Sequence, residues 1–227
     1  MSIPVITPYA MPTGTVKNRV DWRPDPARAV LLVHDMQEYF LAKYDMAQAP
    51  IPTLIDHAVQ LRAACDAAGV PVVYTAQPVE QPAGDRALLN DFWGPGLTAP
   101  DKHAQQPIID ALKPGPQDTV LTKWRYSAFQ RSNLRALMRE WGRDQLIICG
   151  IYAHIGCMST ALEAFMQDVQ PFFVLDAVAD FSAAEHRMAI TYVSGRCGVS
   201  LTVEEVVGAL SGEAAADVAG KSAEQTS

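Results

Sequence analysis

Six short runs of apolar and β-branched residues, at 29–33, 70–75, 119–122, 145–151, 171–175 and 199–203, recur along the chain. They are continuous enough in apolar residues to read as strands covered on both faces. The stretches between them, at 52–68, 105–112, 133–141, 157–167 and 183–194, carry apolar residues at helical spacing. Strand, helix, strand in repetition requires crossover connections. It predicts an α/β chain, a single-domain three-layer Rossmann-like fold whose six-stranded, mostly parallel sheet has helices on both faces. Gly69 and Gly142 follow two of these helices, where a C-cap favours a left-handed residue.

A length of 227 residues suits one large core. Residues 1–28 are proline-rich and without period, and read as an extended arm ahead of a domain at 29–207. From Gly208 the chain turns to Ala, Ser, Gly and Glu, which predicts a disordered tail over 208–227. The stretch 81–100 is one long connection without period, and such connections inside compact domains are usually functional.

The net charge of −7 repels phosphate backbones and anionic lipid surfaces, so nucleic acid is excluded as a partner. No apolar run approaches the ~20 residues of a bilayer span, and the N-terminus lacks a basic, then apolar, leader; a cytoplasmic protein without membrane contact is expected. Cys65, Cys149, Cys157 and Cys197 are widely spaced and form no Cys-x-x-Cys pair, which predicts reduced thiols. His34, His57, His103, His154 and His186 show no paired spacing, so no metal is expected. Neither a Gly-x-Gly-x-x-Gly turn nor a Walker loop is present, so no cofactor is expected, and no Gly-x-Ser-x-Gly elbow supports a serine nucleophile.

Ligands of open parallel sheets bind beyond the carboxyl ends of the strands, and here those ends are polar. Asp35 and Lys123 are expected on neighbouring strand ends, a carboxylate and an ammonium suited to proton transfer; a structural ion pair or a helix cap is the plainer alternative. Cys157 opens a helix, a position that can activate a thiol, although a free cysteine is more often a small buried apolar residue.

The strand-end strings are specific when taken together: Val33-His34-Asp35-Met36-Gln37, Tyr74-Thr75-Ala76-Gln77-Pro78, Asp91-Phe92-Trp93-Gly94-Pro95-Gly96, Lys123-Trp124-Arg125-Tyr126-Ser127-Ala128-Phe129, Gly150-Ile151-Tyr152-Ala153-His154-Ile155-Gly156 and Asp176-Ala177-Val178-Ala179-Asp180-Phe181-Ser182. In them the chain resembles the isochorismatases from about Trp22 to Val207. Nicotinamidases and N-carbamoylsarcosine amidases, of the same superfamily, carry Gly-x-Ala-Thr-Asp-x-Cys at the fourth strand end. That register places their nucleophile at Gly156 and turns Cys157 about 100° away on a helix.

The resemblance implies hydrolysis of the enolpyruvyl ether of isochorismate to 2,3-dihydro-2,3-dihydroxybenzoate and pyruvate, with Asp35 as general acid and no covalent intermediate. Burial beside Phe40 and Trp93, with the substrate's carboxylates, is expected to raise the pKa of Asp35, while Lys123 orients the acid and neutralises substrate charge. It also implies a pocket of Gln77, Arg86, Lys123, Tyr126, Tyr152 and the Gly156 backbone, with Trp93 and Phe40 packed on the ring, and His34 bracing the turn. Isochorismatases of siderophore pathways can carry an aryl carrier domain. Only 20 residues follow Val207 and no Asp-Ser-Leu site occurs, so a stand-alone homodimer or larger homo-oligomer is expected. The alternatives are the same hydrolysis of 2-amino-2-deoxyisochorismate, as in phenazine pathways, a cysteine amidohydrolase using Cys157, or a non-catalytic binding module.

Overall fold

The apolar runs form six strands: β1 (Ala29–His34), β2 (Val72–Ala76), β3 (Thr119–Thr122), β4 (Gln145–Ile151), β5 (Gln170–Ala179) and β6 (Val199–Leu201). This computed structural model describes residues 3–212. All neighbours pair in parallel, in the order β3-β2-β1-β4-β5-β6. The helices are α1 (Glu38–Leu41), α2 (Ile51–Ala67), α3 (Ala83–Arg86), α4 (Leu89–Trp93), α5 (Leu134–Glu140), α6 (Met158–Met166), α7 (Ala183–Arg196) and α8 (Val203–Ser211).

The side-chain alternation of β1 divides the core into two. Leu31 and Val33 pack with Leu54 and Leu61 of α2 and Val206 of α8. Val30 and Leu32 pack on the other face with Leu134 and Met138 of α5, Ala161 of α6 and Ala189 of α7. Both faces of the central strands are therefore dry, which is why β1 and β4 are mostly apolar; each fully buried Leu contributes about 1.5–3 kcal/mol. No helix among the described residues is long and apolar enough to cross a membrane.

Several elements differ from the sequence reading. The helix expected at 105–112 is absent, because Pro107 has no N–H to give and its ring clashes with the preceding turn. Two 3-10 turns stand there instead, Pro100–Gln105 and Asp110–Leu112, and between them Ile108 bridges antiparallel to Gln37. The long connection holds α3 and α4, of four and five residues, too short to impose a period on the sequence. β5 runs on to Ala179 through buried Asp176, whose Oδ1 accepts the Val203 N–H at 2.9 Å and so keeps a polar residue inside a strand. Thr202 and Glu205 form a capping box that starts α8, and the helix takes in Gly208 to Ser211. The rest of the expected tail, from residue 213, lies outside the described residues.

The N-terminal arm has no regular structure but is hydrogen-bonded to the body along its length, at Asn18 and Arg19 and, nearer its start, at Ile6 and Tyr9. The Ile6 N–H donates to the Lys43 carbonyl, the Tyr9 N–H donates to the Ala49 carbonyl, and the Asp180 N–H donates to the Tyr9 hydroxyl at 2.7 Å. Ile3 and Ile6 are buried in the same core layer as α2.

Candidate active site

From β1 the chain moves outward to β2 and β3, and from β4 outward to β5 and β6, so the strand order reverses between β1 and β4. A crevice opens at such a reversal, beyond the carboxyl ends of the strands. Asp35 follows β1 and Gly156 lies five residues after β4, and both line one pocket there. Lys123 lines it too, though β2 separates its strand from β1, contrary to the expectation of neighbouring strand ends. The four-carbon lysine stem spans the end of β2, bringing Nζ to 3.4 Å from Asp35 Oδ2. Nζ also donates to the Arg125 carbonyl, and both side chains are almost fully buried.

Asp35 sits in the left-handed backbone region, with φ at 49°. That conformation turns its N–H and its carboxyl toward the same neighbour, Thr75 of β2. The Asp35 N–H donates to Thr75 Oγ1 at 3.1 Å, and the Thr75 hydroxyl donates to Asp35 Oδ1 at 2.5 Å. A non-glycine residue held at positive φ is strained by about 1–3 kcal/mol, and such strain gathers at functional sites.

Across the pocket, Gly156 faces His34. A Cβ at position 156 would lie 2.1 Å from His34 Cε1, so the imidazole occupies the volume that any side chain at 156 needs. The ring is buried, with Nδ1 2.7 Å from the Ile151 carbonyl and Nε2 3.3 Å from that of Tyr126. Burial holds His34 below its ordinary pKa against the opposing pull of the Asp35 carboxylate. The neutral ring donates at the shorter of the two contacts. His34 thus braces the turn.

Cys157 lies in the core layer on the other side of the sheet, with Val30 and Leu32, and outside the pocket lining. Burial pushes its thiol well above the ordinary range, so no thiolate is available there. The turn that carries Gly156, Ala153–Cys157, is held by fully buried Asp180, which accepts the N–H groups of His154 and Phe181 and the His154 imidazole.

Every residue that the sequence reading placed in the pocket lines it: Phe40, Gln77, Arg86, Trp93, Tyr126, Tyr152 and Gly156, beside Asp35 and Lys123. Several polar atoms among them already have protein partners. The Tyr152 hydroxyl donates to the Phe40 carbonyl at 2.9 Å, leaving its ring as wall. Arg86 is buried, and its Nε and Nη2 both donate to the Gly94 carbonyl, at 2.8 and 2.6 Å. Trp93 Nε1 donates to the Tyr126 hydroxyl at 2.9 Å, joining the long connection to the segment after β3. Gln37 exchanges hydrogen bonds with the backbone of Gln77, whose side-chain amide makes no protein hydrogen bond among the described residues.

Sequence reasoning missed Thr75, Ile3, Tyr39 and Phe181. Thr75 and Phe181 stood inside quoted strings but read as strand residues. Ile3 carries no local signal at all, and only the path of the arm brings it to the pocket wall. What results is a largely apolar, aromatic-walled pocket lined by one carboxyl, that of Asp35, and three cationic side chains, Arg86, Lys123 and Arg125, and by no cysteine.

The family model described as the isochorismatase domain matches residues 29–205. The protein named isochorismatase from Bacillus subtilis (strain 168) is 53% identical over 220 residues, covering 96% of this chain and 70% of that protein. Phenazine biosynthesis protein PhzD1 of Pseudomonas aeruginosa is 47% identical over 212 residues, covering 90% of this chain and 98% of that protein. Among solved structures, a cysteine hydrolase from Pseudomonas syringae pv. phaseolicola 1448A has a TM-score of 0.76 at 24% identity, over 93% of this chain and 99% of that one, a likeness of fold.

Proposed function

This chain belongs to the isochorismatase family, and from that premise we propose that it hydrolyses isochorismate to 2,3-dihydro-2,3-dihydroxybenzoate and pyruvate. It is a hydrolase. The observation that carries the mechanism is the buried Asp35 carboxyl, flanked by Lys123, facing a pocket in which glycine stands where a nucleophile would be.

Asp35 delivers a proton to the terminal methylene carbon of the enolpyruvyl group, and the C=C pair forms the new C–H bond. The resulting oxocarbenium ion takes up water, whose spare proton returns to Asp35. The hemiketal then collapses, breaking the bond to the ring oxygen and releasing pyruvate and the ring alcohol. No step needs a covalent enzyme intermediate, which accords with a thiol at Cys157 that is buried on the far side of the sheet. Lys123 orients the acid and, with Arg86 and the free amide of Gln77, meets substrate carboxylate, while Phe40, Trp93, Tyr126 and Tyr152 pack on the ring and the Gly156 backbone lines the far wall. The general acid contributes about 100- to 10,000-fold and the apolar walls exclude competing water.

The test is pyruvate release coupled to lactate dehydrogenase, run in parallel on isochorismate and on 2-amino-2-deoxyisochorismate. Saturable turnover of isochorismate, with the higher kcat/KM of the two, is the expected result. A higher value for the amino analogue would move the reading to that substrate, and no pyruvate from either would end it. Ile3 gives a second check within this reading. Ile3→Ala removes apolar wall equally from ground and transition states, so KM for isochorismate should rise by roughly 5- to 50-fold with kcat little changed. An unchanged KM would show that the arm does not shape the bound state.

A cytoplasmic setting is part of the proposal, supported by four cysteines that are all free. So is a homodimer or larger homo-oligomer, supported by the resemblance and by exposed Phe165 and Met166 on α6.

A further inference from the structure

The two carboxyl oxygens of Asp35 have unlike surroundings, and the difference decides which of them can give up a proton. We propose that Thr75 is the positioning residue of the acid: its hydroxyl makes Oδ1 the carbonyl oxygen and leaves Oδ2 to carry the proton that moves to the substrate. The inference rests on the general-acid reading above.

Thr75 is buried, with 1% of its surface exposed, and pairs with His34 in the β1–β2 register. Its hydroxyl has one hydrogen. One oxygen lone pair already accepts the Asp35 N–H, and the side chain makes no other hydrogen bond among the described residues than the one it gives to Oδ1. If the acid proton sat on Oδ1 instead, it would have to point at Thr75 and leave the Thr75 hydrogen without an acceptor in a dry site, a loss that buried polar groups avoid. Oδ2 also has a donor beside it, but at a longer distance than the 2.5 Å contact on Oδ1. Its neighbours are Lys123 Nζ at 3.4 Å, shared with the Arg125 carbonyl, and His34 Nδ1 at 3.7 Å, whose hydrogen is directed at the Ile151 carbonyl.

The same hydrogen bond changes strength during the reaction. While Asp35 is neutral, Thr75 donates to an uncharged carbonyl oxygen. As the proton leaves Oδ2, charge spreads to Oδ1 and the bond becomes charge-assisted, so Thr75 stabilises the transition state more than the bound ground state. Its removal should appear in kcat and not in KM.

Thr75→Val removes the hydroxyl at nearly constant shape, and Thr75→Ser keeps it. Thr75→Val is expected to lower kcat on isochorismate by about 10- to 100-fold, the worth of a hydrogen bond to a charged group, with KM within about threefold. Thr75→Ser should restore kcat to within about threefold, with KM again unchanged. If the valine variant does not fold, as judged by circular dichroism, Thr75→Ala against Thr75→Ser makes the same comparison. Unchanged kcat in the variant lacking the hydroxyl, a loss that appears in KM instead, or equal losses with and without the hydroxyl, would overturn the assignment. Absence of pyruvate from the unaltered enzyme would instead overturn the general-acid reading itself.

Discussion

Asp35→Asn is expected to lower kcat on isochorismate by about 100- to 10,000-fold while KM stays within a few-fold of its original value. The amide has nearly the size of the carboxyl, and its oxygen can still accept the Thr75 hydroxyl, so the turn after β1 and the pocket floor keep their shape. What is lost is the transferable proton. Asp35→Glu should also be impaired, because one added methylene pushes the acid out of the position that Thr75 and Lys123 define. In the unaltered enzyme deuterated solvent should slow kcat, because a proton moves to carbon in the step that Asp35 serves. Cys157→Ala serves as the control: its thiol lies on the opposite side of the sheet, so kcat should be retained, and the native protein should resist iodoacetamide at this residue. An Asp35→Asn enzyme with near-normal kcat would shift the acid role to Lys123 or to a bound water.

The parts of this fold that were legible in the sequence are those where one physical demand dominates. β1, β2 and β4 are buried on both faces, so their residues are mostly apolar and their positions follow from composition. Pro107 illustrates the converse. The 105–112 stretch has helical apolar spacing, but a single missing N–H breaks it into turns, and Ile108 is drawn into a bridge with Gln37 that no local pattern announces. β5 ran past its expected end because Asp176 interrupts the apolar run, and its carboxyl is satisfied by the start of α8, 27 residues away.

The site divides in the same way. Asp35, Lys123 and the glycine at 156 are polar or small residues at strand ends, where a buried sheet has no structural need of them, and so they stand out. Thr75 does not, because threonine is at home in any strand, and its role depends on the register that sets it opposite His34 and on the positive φ of Asp35. Ile3 is further from reach still. It is separated by 26 residues from β1, and only the bonds of Ile6, Tyr9 and Asp180 bring it to the pocket. The sequence also could not show that Arg86 is held by the Gly94 carbonyl, a contact within the long connection that fixes where the guanidinium meets the pocket.

Gly156→Ala should be nearly as damaging as loss of the acid, for a steric reason. The added Cβ would lie 2.1 Å from His34 Cε1 and 2.7 Å from Nε2, well inside any real contact. His34 cannot swing aside freely: its ring is buried, bonded to the Ile151 carbonyl, and 3.7 Å from the carboxyl of Asp35. Either the turn carrying residue 156 or the imidazole must move, and each displaces a wall or the acid. Overpacking of this kind costs about 1–3 kcal/mol, which for a chain of this size lowers Tm by roughly 2–10 °C, and a shift of the acid by about 1 Å lowers kcat by about 100-fold. If the clash with His34 is the cause, His34→Ala and Gly156→Ala must couple: the double variant should be more stable than the sum of the two singles predicts, by about 0.5–3 kcal/mol. Strict additivity in denaturant unfolding would refute the account. The same clash governs Gly156→Cys, which restores a thiol at the register used by the amidases. With the imidazole filling that space the thiol is pressed against His34 instead of facing the pocket, so the variant should form no acyl-enzyme with nicotinamide by mass spectrometry, and appearance of one would show that the space is open.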